Sequence, residues 1–222
     1  MEKIEKCYCD IPDEIKQYCS YFDKFIIEEI PDIIFKDIKY KSLREYAVFR
    51  MGFSVVTRKN CSVLAKIIGN NRVLEIMCGL GSYTSTLRSF GIDVIATDDM
   101  SWIEYDTSKY QGWKKHAWID DIINVDAIEA VKKYGKNVGF ILMSWPPQHS
   151  NLAYKVLQTM RNVNPDCILI YIGEGKGGCT ADDDFFDSYV DISDEFEEIK
   201  ELRNSYHNWG NDQYYDLQFF LK

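Results

Sequence analysis

A chain of 222 residues, 46% of them hydrophobic, is long enough for one α/β domain with a short appendage and too apolar to stay disordered. Its net charge of −9, with lysines and arginines scattered among the acids, weighs against a protein that grips duplex DNA or RNA through its phosphates. Cys7, Cys9, Cys19, Cys61, Cys78, Cys167 and Cys179 form no CxxC pair and no apolar run approaches a membrane span, so no metal site and no membrane partner are expected, and free thiols point to a cytoplasmic protein.

Residues 11–40 read as helices broken by Pro31, with Ile15, Tyr18, Cys19, Phe22, Phe25 and Ile26 on one face. Residues 42–57 read as a helix capped by Ser42 with Glu45, and 60–68 as a helix stopped at Gly69. The pattern then changes. Arg72–Met77 is a short apolar strand, followed by the glycine turn Cys78-Gly-Leu-Gly81, a helix over 82–90 and a second strand over Asp93–Thr97 that runs into Asp98-Asp99. An aromatic-rich excursion spans 100–117 and holds the basic trio Lys114-Lys115-His116; a third strand falls near 116–124 and a helix over 126–134. Val138–Met143 and Cys167–Ile172 are strands flanking a helix over 150–162. Asp182-Asp-Asp184 suits the first turn of a further helix. The stretches 196–202 and 213–221 read as two strands joined by Asn208–Asn211, an antiparallel closing pair. Apolar strands alternating with helices predict a mostly parallel sheet covered on both faces.

In such sheets ligands bind beyond the C-terminal strand ends, at the switch point of strand order. The first strand ends in Glu75-Ile-Met-Cys-Gly79-Leu-Gly81, and the second ends about twenty residues later in Asp98, a carboxylate suited to ribose hydroxyls. A nicotinamide-binding protein would show GxGxxG, and the third glycine is missing here. The ordered set of strand, glycine turn, helix, strand and acid resembles the class I S-adenosylmethionine-dependent methyltransferases, with Met77 standing where that family's first glycine falls. The resemblance implies a Rossmann-like sheet that binds S-adenosylmethionine. Glu75, Gly79 and Gly81 would lie around the methionine end, Asp98 on the ribose, Asp126 near the adenine amino group, and Tyr46 near the cofactor beneath the N-terminal helix, with Cys78 and Ser144 also among the cofactor-binding residues. Asp120 and Asp121 are alternatives to Asp126.

The fourth strand runs into Ser144-Trp-Pro-Pro147, where amine-modifying members of that family carry an Asn or Asp before the two prolines. Trp145 has no acceptor oxygen, so the usual grip on a target amine is absent at that position, and an indole there can stack on a substrate or pack in the core. The fifth strand ends in Gly173-Glu-Gly-Lys-Gly-Gly-Cys-Thr180, a loop that can approach a ligand closely. Glu174 is its candidate base or substrate-binding group, and His149 a weaker proton acceptor. Trp145-Pro-Pro147 with Gly173–Ala181, Tyr46–Phe49 and Phe185-Phe186 together resemble a group of small methyltransferase-like proteins, over residue 43 to the C-terminus.

The expected organisation is an N-terminal helical cap over 1–68, of which 1–41 covers the rim, and a Rossmann-like S-adenosylmethionine-binding domain over 69–222. The expected activity is methyl transfer to a nitrogen or oxygen nucleophile, with Trp145, Pro146, Pro147 and Glu174 at the acceptor end. A small molecule or protein side chain is favoured over duplex nucleic acid as acceptor. The alternative is a non-catalytic protein that holds adenosylmethionine or a nucleotide on a degenerate methyltransferase fold, with Met77 and Trp145 in its favour.

Overall fold

The two apolar periods of the strands sort the molecule into layers. A computed structural model describes residues 10–101, 117–209 and 215–222. Cys7, Cys9, Lys114, Lys115, His116 and most of the aromatic excursion lie outside the described residues, as do 210–214. Among those described, the strands are β1 (Val73–Ile76), β2 (Val94–Asp98), β3 (Ile123–Asn124), β4 (Phe140–Ser144), β5 (Ile168–Glu174) and β6 (Asp216–Leu221). They form one sheet in the order β3-β2-β1-β4-β5-β6, parallel throughout except for β6, which runs antiparallel to β5. This is the Rossmann-like sheet expected, and the order reverses between β1 and β4.

The α-helices among the described residues are α1 (Ile33–Lys36), α2 (Ser42–Met51), α3 (Arg58–Ile68), α4 (Ser82–Arg88), α5 (Ala127–Tyr134), α6 (Leu152–Val163), α7 (Asp183–Ser188) and α8 (Ile199–Ser205). Alternate strand residues point to opposite faces. Val73, Val94, Phe140, Leu142, Ile170, Ile172 and Phe220 pack with α2, α3, α4, α8 and the N-terminal segments. Leu74, Ile76, Ile141, Met143, Leu169, Tyr171 and Leu221 pack with α5, α6 and α7. The first core runs without interruption from Ile11 to Phe220, so the N-terminal segments share it with the sheet.

Several local expectations are corrected. Residues 196–202 are not a strand: Ile199 and Leu202 are buried one helical turn apart on α8, and the antiparallel partner of β6 is β5. The helix from Ser42 stops at Met51, because Gly52 takes a φ of 92°. Ser42 is its first residue rather than its cap; Lys41 holds the cap position and offers no side-chain hydrogen bond. The region 11–40 contains 3-10 turns at Asp13–Tyr21 and Ile38–Tyr40 around the short α1. At α3 the helix begins earlier than expected because Thr57 is extended and its hydroxyl accepts from the Asn60 N–H. Thr57→Ala is expected to lower stability by about 1 kcal/mol in urea denaturation, since it strands that N–H.

Candidate cofactor and acceptor site

The C-terminal ends of β1, β2, β4 and β5 converge on one rim, and the chain turns sharply after each. Met77, Met100, Trp145 and Ala181 take φ of 52°, 57°, 52° and 57°, in the left-handed region that disfavours side chains. Such strain concentrates where geometry serves a site. Met77, at the position of the family's first glycine, adopts a conformation suited to glycine, at a cost of about 1 kcal/mol.

A cavity of about 380 Å³ opens at the β1–β4 switch point, within the range of small-molecule sites. Its wall includes Glu75, Met77, Cys78, Gly79, Asp98, Asp99, Asp126, Ser144, Trp145 and Pro147. The described lining includes no lysine, arginine or histidine. Gly79 has a φ of 53°, and a Cβ built on it would meet nothing within 4 Å, so the backbone there is open to a ligand. Gly81 has a φ of 75°, and a Cβ there would meet Ile119 at 2.6 Å. Gly81 therefore serves the close approach of the chain after residue 116 to the turn.

The acids are held differently. Glu75 is 2% exposed and accepts the Thr84 N–H at 2.9 Å and the Thr84 hydroxyl. Burial pushes its carboxyl up to about 7, against the opposing pull of the two Thr84 bonds. Asp98 is also buried; its Oδ2 accepts the Gly79 N–H and its Oδ1 the Met100 N–H, both at 2.8 Å. It thereby fixes the glycine turn to the end of β2. Each carboxylate oxygen can accept a second donor. Asp126 is exposed and caps α5 by accepting the N–H groups of Ile128 and Glu129 at 3.0 and 3.1 Å. Asp121 is instead paired with Arg88 at 2.8 Å, and neither Asp120 nor Asp121 is among the cavity residues above. Burial raises the Cys78 thiol far above its ordinary range, so it stays protonated.

At the acceptor end, Ser144 shares a hydrogen bond with Ser54 at 2.6 Å. Trp145 stacks on Phe53, with centroids 4.9 Å apart and planes 15° apart, and its Nε1–H donates to Asp216 Oδ2 at 3.0 Å. It is thus a partly exposed wall of the cavity rather than a core residue. The Pro146 carbonyl accepts the Ala181 N–H at 3.0 Å and Pro147 pairs with Thr180, which zips the two predicted loops together. Glu174 is 4% exposed, is not among the residues that line the cavity, and accepts the Cys179 N–H with Oε2. Tyr46 does not line the cavity; its hydroxyl donates to Asp23 at 2.7 Å. His149 is exposed beyond the Pro-Pro turn.

Phe53, Ser54 and Asp216 join the site without having been singled out from the sequence. The signals were present: Gly52 marks the end of the helix before Phe53, and Asp216 and Gln218 are polar residues at inward positions of a strand that also buries Phe220.

No protein-family model and no curated protein matches the sequence. Solved structures similar to the chain include a tRNA (uracil-54, C5)-methyltransferase from Pyrococcus abyssi bound to S-adenosyl-L-homocysteine, at 11% identity and a TM-score of 0.42 over 73% of this chain and 37% of that one. A SAM-dependent methyltransferase from Archaeoglobus fulgidus matches at 17% identity and 0.35 over 55% of each chain. TehB from Haemophilus influenzae matches at 14% and 0.41, over 80% of this chain and 65% of that one. The chain thus spans less than two thirds of the length of each. The fold itself rests on the strand order and the one antiparallel edge.

S-adenosylmethionine, which the resemblance implies, fits this lining. An open glycine turn, carboxylates on two successive strand ends and a lining whose described residues include no cation suit a sugar and a positively charged sulphur.

Proposed function

We propose that the chain is an S-adenosylmethionine-dependent methyltransferase acting on a nitrogen or oxygen nucleophile. The supporting observation is the cavity at the β1–β4 switch point, where the open Gly79 turn is tied to Asp98 and no basic residue is among the described lining. Asp98 receives the ribose hydroxyls, Asp126 the adenine amino group, and Glu75, Cys78, Gly79 and Ser144 surround the methionine end, while Gly81 lets the chain near Ile119 close on the turn. When bound, S-adenosylmethionine supplies an already activated methyl group. The chain's own task is then to orient the acceptor and keep water out, so positioning dominates. Trp145 and Pro147 form the wall on that side, and Glu174, buried outside that lining, is the positioning or proton-accepting group.

Calorimetry tests the binding half. Both S-adenosylmethionine and S-adenosylhomocysteine should bind, and Asp98→Asn should weaken both by more than about tenfold, since it replaces a charged acceptor and loosens the turn. Circular dichroism of the variant checks the fold. No binding at millimolar ligand overturns the proposal; binding without labelled-methyl turnover on any acceptor pool favours the non-catalytic alternative. NADH should not compete.

A further inference from the structure

Behind the Trp145 wall, two buried carboxylates face each other across the β5–β6 ladder. Glu174 and Asp216 are register partners of an antiparallel pair, so their side chains leave the same face of the sheet. One oxygen of each is occupied. Glu174 Oε2 accepts the Cys179 N–H; Asp216 Oδ2 accepts Trp145 Nε1–H at 3.0 Å and the Tyr206 hydroxyl at 2.6 Å. The other two oxygens, Glu174 Oε1 and Asp216 Oδ1, are buried and accept no hydrogen bond. The residues are 4% and 7% exposed.

A buried carboxylate oxygen without a donor costs about 1–3 kcal/mol, and two such groups beside each other add repulsion. Among the described residues Arg44 acts on Asp216 electrostatically, and one guanidinium leaves two carboxylates short of a positive charge. The missing component is therefore a cation that donates N–H bonds. A metal ion is a poor occupant, because among the described residues no group of three or more His, Cys, Asp or Glu is placed to hold one.

We propose that Glu174 and Asp216 form the receiving site for an ammonium group of the acceptor, which is accordingly an organic amine. The word acceptor rests on the methyltransferase reading; the ammonium site itself does not. The cover suits such a role. The Gly175–Gly178 loop lies over Glu174, so closely that a Cβ on Gly178 would meet the Glu174 Cβ at 2.5 Å. On the other side the Trp145 indole, bonded to Asp216 and stacked on Phe53, is part of the cavity wall. An amine whose charged end displaces or flanks that indole has the rest of its body in the cavity, and the indole face adds attraction for the cation.

The Trp145 bond to Asp216 provides the readout. Butylamine would be titrated into the full-length protein at constant ionic strength while tryptophan emission is followed, with 1-butanol and tetramethylammonium as controls. A saturable change is expected with butylamine alone. It should be absent in Trp145→Phe, and weakened at least about tenfold in Asp216→Asn and in Glu174→Gln, because each removes a charge-assisted bond. No response to butylamine, an equal response to tetramethylammonium, or an unchanged response in both carboxylate variants overturns the proposal. If those variants fail to fold, the comparison of the three probes on the natural chain still decides. Calorimetry with S-adenosylmethionine on the same sample separates the two proposals. An amine response without cofactor binding sinks the methyltransferase reading alone, and cofactor binding without an amine response sinks the amine site alone.

Discussion

Glu75→Gln is expected to remove a loss of stability of about 3 kcal/mol that the natural chain suffers between about pH 5 and about pH 8. Burial is the chief cause that lifts this carboxyl from 4.5 to about 7 in the folded chain. The folded state therefore holds the proton more tightly than the unfolded state. Its contribution is fully present below 4.5, and it is lost as pH rises through 7. Asp216, raised from 3.8 to about 6 mainly by burial, works in the same direction and leaves a residual slope in the variant. His207 works in the opposite direction, because burial lowers it from 6.5. Asp13, Asp32 and Asp121, lowered by Lys16, Lys36 and Arg88, act below 3.8 and at the surface, where ion pairs contribute little. Comparing the natural chain with the variant cancels all of these. Glutamine keeps the shape and one oxygen for the Thr84 N–H, so urea denaturation at the two pH values isolates the titration. Parallel stability profiles would sink the prediction. The same proton couples to the proposed ligand: a bound sulfonium favours ionised Glu75. The preference for S-adenosylmethionine over S-adenosylhomocysteine should thus rise from about pH 6 to about pH 8 in the natural chain and stay level in the variant.

Much of this architecture was legible because buried parallel strands carry their own signal. Val73–Ile76, Phe140–Ser144 and Ile168–Glu174 are apolar runs bounded by polar or glycine residues, and each ends within a few residues of where its sequence places it. The glycine turn was legible because a sharp reversal at positive φ after a buried strand limits which residues can stand there, and Asp98 closes it by accepting the Gly79 N–H. What failed was periodicity in short segments. Phe196, Ile199 and Leu202 fit a strand on composition, and only their three-residue spacing reveals α8. The surroundings of Trp145 were legible least of all. Its partners Phe53 and Asp216 lie 92 and 71 positions away in sequence, and no local pattern couples an indole to a carboxylate on an antiparallel strand. The sequence marks Trp145 as a departure from an amine-gripping motif; the fold supplies, a few ångströms behind it, the acceptor oxygens that the tryptophan lacks.

Tyr171→Ala is expected to destabilise the chain by about 4 kcal/mol, the range for emptying a large aromatic site in a core. Tyr171 is fully buried on β5, packs against Phe185 at 5.1 Å between centroids, and also contacts Phe186 and Phe219. Its hydroxyl donates to the Glu174 carbonyl at 2.7 Å and bonds the Thr180 hydroxyl at 2.7 Å. The ring thus fills the core while the hydroxyl staples together both ends of the glycine loop that covers Glu174. Tyr171→Phe separates the two roles. It keeps the packing and should cost only about 1 kcal/mol, because the Thr180 hydroxyl still reaches the Glu174 carbonyl at 3.2 Å once the two tyrosine bonds are gone. That smaller loss falls on the loop: amide exchange of residues 175–179 should quicken in Tyr171→Phe while β1 and β4 stay as protected as before. Should the Phe variant lose as much stability as the Ala variant, hydrogen bonding rather than ring packing would be what holds this end of the sheet. The glycine loop would then have to be regarded as part of the core and not as a cover able to lift from the carboxylates beneath it.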